Sequence, residues 1–394
     1  MQKIAFLSYK PISKLQSGYD LIYTTSASIL KKDNTVKFFS VGNKNIVEQF
    51  DDGVYQHIYK GFSFPENLGL LKIIDLIALT IFGIRPSINL INKNDYFFKK
   101  LNEYKPDIII LPGAAYYLFK IAIKFKNKNP QSKLIIYTDS PIEMFQNSFN
   151  SIKNSPLPYF LINYMNKQYL KYNLNIFKKL FLISDYIVTF TREDKIKIKS
   201  DFKLSKKIFV IPSVYIKKEP KLKLTKIKKI KKIMFIGACG YPANDEIIKI
   251  IKNNIAPQLE TKQFIIVGKN CKNQDINNVK IIGSASEKKL DSLLKTADIC
   301  IAPLFNGGGI KTKILKYLSY YKPVIGTSIA FRGYPIKNRI NAIVENDIEK
   351  YPILIQEFEK NIKLYNKIQK NIKYVLNFFS EKTIRKKWVK LMKT

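Results

Sequence analysis

Residues 297–315 read ADICIAPLFNGGGIKTKIL, and this stretch decides the fold. It opens with an apolar run, Asp298–Ala302, that ends in Pro303. A continuous run of this kind suits a strand buried on both faces of a parallel sheet. The turn Asn306-Gly307-Gly308-Gly309 follows, and a helical pattern starts at Ile310. Consecutive glycines let the backbone approach a ligand closely. The helix start adds unpaired N–H groups and the positive end of its dipole. Lys311 and Lys313 stand in the first turn, where the dipole disfavours a cation. An anion bound there accounts for both. The sequence therefore predicts a phosphate cradle built from Asn306, Gly307, Gly308, Gly309, Ile310, Lys311, Thr312 and Lys313. A plain flexible loop in a lysine-rich chain is the alternative.

The same alternation of strand and helix runs outward in both directions. Strands are expected at Lys232–Ile236, Gln263–Val267, Val279–Ile282 and Pro323–Gly326, with helices at Asn244–Lys252, Glu287–Thr296 and Ile310–Tyr320. Upstream, the expected strands are Lys3–Ser8, Val36–Val41, Asp107–Leu111, Lys133–Thr138, Tyr186–Phe190 and Ile208–Ile211. Tyr19–Lys31 and Ala115–Lys126 have helical character. The pattern predicts an α/β protein with two doubly wound, Rossmann-like domains. Between them, nine of the sixteen residues Lys217–Lys232 are lysine, which reads as an exposed linker. The expected division is 1–216, a linker at 217–231, a second domain at 232–375, and a C-terminal helix at 376–394 that packs back on the first domain. Ser380-Glu381 is expected to cap that helix. Ligands of open α/β sheets sit beyond the carboxyl ends of the strands. Ser17-Gly18-Tyr19 and Ile236-Gly237 occupy such ends, so Gly18 and Gly237 join the candidates for phosphate contact. Two such edges facing each other would form a cleft.

Length and composition narrow the function classes. A chain of 394 residues fits two domains. Lys plus Arg number 68 and Asp plus Glu 30, a net charge of +38 that attracts polyanions. The lysine is spread along the chain, so compositional bias is an equal explanation. No GxGxxG or GxxxxGK[ST] run occurs, which argues against a dinucleotide enzyme and a P-loop NTPase. The single histidine, His57, lies in a loop-like stretch and leaves little room for a hydrolase triad or a histidine metal site. Cys239, Cys271 and Cys300 form no CxxC pair. Neither zinc nor a disulfide is expected, and a reducing, cytoplasmic setting fits. The N-terminal MQKIAFLSY reads as a strand rather than a signal peptide. The apolar stretch Leu68–Ile84 carries Lys72 and Asp75 and reads as a buried helix, with a helix dipping into a membrane surface as the alternative.

The block 298–327 resembles group 1 (family 4-like) glycosyltransferases of the GT-B fold. The residues that carry the resemblance are Gly-Gly-Gly-Ile-Lys-Thr-Lys-Ile-Leu-Lys-Tyr-Leu-Ser at 307–319 and Lys-Pro-Val-Ile-Gly-Thr at 322–327. Weaker matches are Phe235-Ile236-Gly237 with Tyr241-Pro242-Ala243-Asn244, Ser184-Asp185-Tyr186-Ile187-Val188-Thr189, Ile211-Pro212-Ser213-Val214, and Asn341-Ala342-Ile343-Val344. The resemblance implies a retaining transferase, dependent on a nucleotide sugar and needing neither cofactor nor metal. The second domain would bind the nucleotide-sugar donor, with its diphosphate on 307–313 and Arg332 near the sugar or phosphate. The first would bind a glycan or lipid-linked acceptor, and Asp139 would assist the acceptor or contact the sugar; a helix cap or turn is its alternative. The family usually has Glu at the position of Lys316, where it holds the nucleotide ribose, and Gly at that of Tyr321. A lysine cannot accept from ribose hydroxyls. Polysaccharide biosynthesis and a peripheral contact with an anionic membrane are compatible expectations. A catalytically silent GT-B-like partner protein and a nucleic-acid binder are the alternatives, although no specific nucleic-acid module is present.

Overall fold

The computed structural model describes residues 1–12, 18–50, 53–61, 95–146, 158–212 and 229–394, with 75, 77–81, 85, 88 and 89 between. Ser17, most of Leu68–Ile84 and the lysine-rich run as far as residue 228 lie outside the described residues. Two compact units are present, Met1–Val214 with Ile384–Thr394, and Tyr215–Thr383.

The first unit is built on strands β1 (Lys3–Ser8), β2 (Thr35–Gly42), β3 (Ile46–Gln49), β4 (Tyr55–Lys60), β5 (Ile108–Pro112), β6 (Lys133–Tyr137), β7 (Tyr186–Thr189) and β8 (Ile208–Val210). They pair in the order β3-β4-β2-β1-β5-β6-β7-β8, all parallel except β3. Helices α1 (Gly18–Lys31), α2 (Asp95–Tyr104), α3 (Phe119–Lys128), α4 (Pro141–Gln146), α5 (Tyr159–Ile183) and α6 (Arg192–Asp201) belong to this unit. β1 is buried from Ile4 to Ser8 and β5 throughout, as continuous apolar runs require in a sheet covered on both faces. Thr191 caps α6, accepting from the Asp194 amide at 3.0 Å.

The second unit repeats the plan. Its strands are β9 (Lys232–Ile236), β10 (Gln263–Val267), β11 (Gln274–Ile276), β12 (Val279–Ile282), β13 (Ile299–Ala302), β14 (Val324–Gly326) and β15 (Ile343–Val344). Their order is β11-β12-β10-β9-β13-β14-β15, with β11 antiparallel. The helices are α7 (Pro242–Ile250), α8 (Glu287–Thr296), α9 (Thr312–Ser319), α10 (Tyr351–Lys360) and α11 (Ile362–Phe378), before α12 (Glu381–Met392). Ser380 Oγ accepts from the Thr383 amide at 3.3 Å at the start of α12. From Ile384 onward α12 groups with the first unit, where the Trp388 indole meets the Tyr137 ring edge-on at 5.3 Å.

Two expectations need correction. His57 lies on β4, half-buried and stacked on Phe39 at 6.0 Å, rather than in a surface loop. The hairpin that carries it hides in the sequence because it buries a polar residue. Gln56 is satisfied by the Ile12 amide at 2.7 Å and the Ser40 hydroxyl at 3.2 Å, so no apolar alternation marks the strand. Cys239 and Cys271 form a disulfide, against the expectation of none. They follow β9 and β10, which are parallel neighbours, so their loops leave the sheet at the same edge. The loops are already joined there by the Cys239 amide donating to Lys269 O at 2.9 Å. The cysteine pattern therefore no longer argues for a reducing compartment.

Candidate functional site

The strand order of the second unit reverses between β9 and β13, because β10 and β12 lie on one side of β9 and β14 and β15 on the other side of β13. A doubly wound sheet opens a crevice at such a point, beyond the carboxyl ends of the two strands. The loops that leave β9 and β13 carry Gly237 and the Asn306–Gly309 turn, respectively.

The turn is shaped by its glycines. Gly307 has φ +117° and Gly309 φ +66°, conformations that side chains rarely adopt. Asn306 is exposed, whereas Gly309 and Ile310 are buried. Lys311 folds back over the turn, its ammonium donating to the carbonyls of Gly307 at 2.8 Å and Gly308 at 2.7 Å. Lys311 is the residue before α9, and Thr312 opens the helix, so the amides of Thr312 and Lys313 lie directly behind the glycines. Tyr334 fixes this helix start. Its hydroxyl donates to Lys311 O at 2.8 Å and accepts from the Leu315 amide at 3.2 Å. Nothing in the sequence marked Tyr334, because its role depends on a contact across nineteen residues. Arg332 is half-buried on the turn that precedes Tyr334.

Lys313 points to the other wall of the crevice. Its Nζ donates to Asn244 Oδ1 at 2.9 Å and lies over the Phe235 ring, 4.5 Å from the centroid. Burial, and after it the neighbouring Lys311 ammonium, lower its pKa to about 7. Asn244 in turn donates to Ala238 O at 2.9 Å, so the β9 loop, the start of α7 and the start of α9 form one hydrogen-bonded unit. The loop is tightly seated. A Cβ on Gly268 would stand 1.8 Å from Gly237 O, and one on Gly237 would meet the Phe235 ring at 2.7 Å. The Cys239–Cys271 bond fastens the same two loops.

Lys316 turns to α8, where its Nζ donates to Asp291 Oδ1 at 3.0 Å. Partial burial raises the Asp291 pKa, but the Tyr320 hydroxyl and Lys316 outweigh it and hold the carboxyl below its ordinary value. Tyr321 has φ +52°, the left-handed conformation for which a glycine is usual after a helix.

In the first unit the order reverses between β1 and β5. A buried cluster lies beyond their carboxyl ends. Arg85 donates to Asp75 at 3.0 Å, to the Tyr116 hydroxyl at 3.0 Å and to Asn173 at 2.9 Å, and it stacks against Tyr169 and Tyr117. Asp75, scattered from its partners in sequence, gave no signal of this. Asp139 follows β6 and is half-buried, with Ser140 between it and α4. Gly18 opens α1 after β1. Among the described residues no group of three or more His, Cys, Asp or Glu is placed to hold a metal ion.

The family description "Glycosyl transferases group 1" matches residues 230–357, the span that holds the whole crevice wall from β9 to α10. Residues 230–357 thus match the model of group 1 glycosyltransferases. The fold of the chain is of the GT-B type. HepE from Anabaena, solved in complex with UDP and glucose, aligns over 100% of both chains with a TM-score of 0.68 and 12% identity. TarM aligns over 100% of this chain and 99% of its own, with a TM-score of 0.67 and 12% identity. An E. coli trehalose-6-phosphate structure bound with UDP-2-fluoro glucose aligns over 99% of both chains, with a TM-score of 0.65 and 11% identity. No curated protein matches the chain by sequence. The group 1 domain thus carries the glycine turn, Lys313 and the Asp291–Lys316 pair within its matched span.

Proposed function

We propose that this group 1 glycosyltransferase takes its sugar from a nucleoside diphosphate donor held by the second unit, with retention at the anomeric carbon. The observation that carries the proposal is Lys313, depressed in pKa and fixed by Asn244 at the start of the helix that follows the glycine turn. As the anomeric carbon–oxygen bond breaks, negative charge grows on the diphosphate. Free amides at the start of α9, its dipole, Lys311 and Lys313 are arranged to meet that charge, and no metal is given a step. UDP is the first nucleotide to test because HepE and the E. coli structure are described with UDP or a UDP-sugar. The acceptor, a glycan or a lipid-linked glycan, belongs to the first unit, with Asp139 as the group that meets its hydroxyl. The +38 charge would favour peripheral contact with an anionic membrane.

Titration calorimetry with UDP, GDP and ADP tests the donor site. At least one is expected to bind below millimolar, with affinity reduced tenfold or more in Lys313→Ala, as for loss of a hydrogen-bonded charge. No binding by any of them at millimolar concentration would remove the proposal. Binding without sugar turnover would support a catalytically silent partner protein instead.

A further inference from the structure

The wall of the crevice holds one covalent feature that the proposed chemistry does not use. Cys239 and Cys271 are bonded between the loops that follow β9 and β10. Those strands are already joined along their length, Lys232–Ile236 against Gln263–Val267. The pairing runs on past the strand ends, where the Gly237 amide donates to Val267 O at 2.9 Å and the Cys239 amide to Lys269 O at 2.9 Å. Ile233, Met234 and Phe235 on β9 and Phe264, Ile265 and Ile266 on β10 are all buried. A bond that served only to hold the two strands together would repeat these contacts. Its distinct effect falls on the segment that follows Gly237.

Each link from the sulfur to Lys313 is short. Ala238 is the covalent neighbour of Cys239, and its carbonyl accepts from Asn244 Nδ2 at 2.9 Å. Asn244 Oδ1 accepts from Lys313 Nζ at 2.9 Å. A side-chain amide that donates at one end and accepts at the other is held in one orientation. The position of Ala238 O therefore sets that of Asn244 Oδ1 and, through it, that of the Lys313 ammonium. On the other side of Cys239, Gly240 is exposed and has φ +82°, with its amide donating to Asp245 at 3.0 Å. A glycine there gives the segment other backbone paths once the sulfur is released. From the facing loop, Cys271 Sγ lies 3.8 Å from Gly237 O. Both bonded cysteines are half-buried, within reach of a small dithiol, whereas Cys300 is fully buried. Cys271 stands between the exposed Lys269 and Lys272, and cations beside a cysteine favour the thiolate through which exchange runs.

We infer that the Cys239–Cys271 bond is a redox switch of the donor site. Closed, it holds Ala238 and Asn244 where they fix Lys313; opened, it releases them and weakens nucleotide binding. The inference rests on the proposed function above. The reductant is a dithiol. Its thiolate attacks one of the two sulfurs and displaces the other, and its second thiol then displaces the protein from the mixed disulfide. Two electrons and two protons pass to the protein, which gains two thiols, and the dithiol leaves as a cyclic disulfide. The oxidised dithiol reverses the exchange. Asn244 is a positioning residue in this arrangement, since it acts through Lys313.

The test measures UDP, GDP and ADP binding by calorimetry on oxidised wild type, wild type reduced with dithiothreitol, the double variant Cys239→Ser/Cys271→Ser, and Asn244→Ala. Reduction is expected to weaken the best-bound nucleotide by about fivefold, the scale of one hydrogen bond. Reoxidation with oxidised dithiothreitol should restore it. The double variant should bind as reduced wild type does and ignore dithiothreitol. In Asn244→Ala, reduction should change affinity by less than about twofold, because both perturbations act through one link. A purely structural bond would instead weaken Asn244→Ala as much as wild type. Hydrogen exchange on the free protein gives a second readout. Reduction should raise exchange across residues 238–245 and leave β9, β10 and β13 protected. Equal nucleotide affinity in oxidised and reduced wild type overturns the inference and leaves the donor proposal standing. Exchange that rises throughout the unit also overturns it, since the bond is then a staple of the fold. Absence of binding by all three nucleotides in both states removes the donor proposal and this inference with it.

Discussion

Lys313 is the residue whose state would set the charge of the proposed diphosphate site. Its pKa in the free protein is about 7, against an ordinary 10.5. A bound diphosphate favours the ammonium, so the complex holds a proton that the free protein has begun to lose. Binding above pH 7 therefore takes up a proton, and affinity falls as pH rises through that value. The expected fall approaches tenfold per pH unit between pH 7 and 9, where the phosphates themselves no longer titrate. Calorimetry in two buffers of different ionisation enthalpy should show the uptake, and Lys313→Arg should flatten the profile because arginine stays charged. A flat wild-type profile from pH 7 to 9 would contradict this account. The same shift acts on stability with the opposite sense. The unfolded chain holds the extra proton between about pH 7 and 10.5, so the free protein gains stability as pH rises across that window. Asp107, Asp185 and Asp298 each precede a strand, in Pro-Asp-Ile, Ser-Asp-Tyr and Ala-Asp-Ile. Their carboxylates accept from the amides of Lys3 at 2.7 Å, Leu134 at 2.6 Å and Lys232 at 2.8 Å, tying neighbouring strands at their amino ends. The direction of Lys316 was not legible, because Asp291 is twenty-five residues away on another helix.

At the scale of elements, strands of continuous apolar residues were readable and polar or mixed elements were not. β13 and α9 fall within two residues of their expected bounds, since both obey simple periodicities. The β3–β4 hairpin and the 25-residue helix α5 gave no pattern. In α5, asparagines and lysines interrupt the apolar face, although Phe177, Leu180 and Phe181 are fully buried. The disulfide was hidden for a related reason, since pairing Cys239 with Cys271 requires knowing that β9 and β10 are neighbours. Its consequence is testable. A cross-link closing a loop of 32 residues stabilises by about 3–4 kcal/mol through the unfolded chain. Cys239→Ser is expected to lower the unfolding midpoint in denaturant accordingly, and a reducing agent should lower it in wild type but not in the variant. Equal midpoints for wild type and variant under oxidising conditions would contradict the bond.

At the scale of the molecule, two sheets of one design carry different contents at corresponding points. The second unit places a glycine turn, free amides and lysines where its strand order reverses, and the first places a buried Arg85–Asp75 pair among tyrosines. The match of the group 1 description to 230–357 falls on the unit that carries the glycine turn. The central claim is that this crevice holds a nucleotide sugar for transfer. The most direct measurement is release of nucleoside diphosphate from a panel of UDP-, GDP- and ADP-sugars by wild type and by Lys313→Ala. The account predicts steady release from at least one sugar nucleotide by wild type, reduced a hundredfold or more in the variant, the scale on which loss of one group that meets developing charge acts. Release at the same rate by both proteins would contradict it.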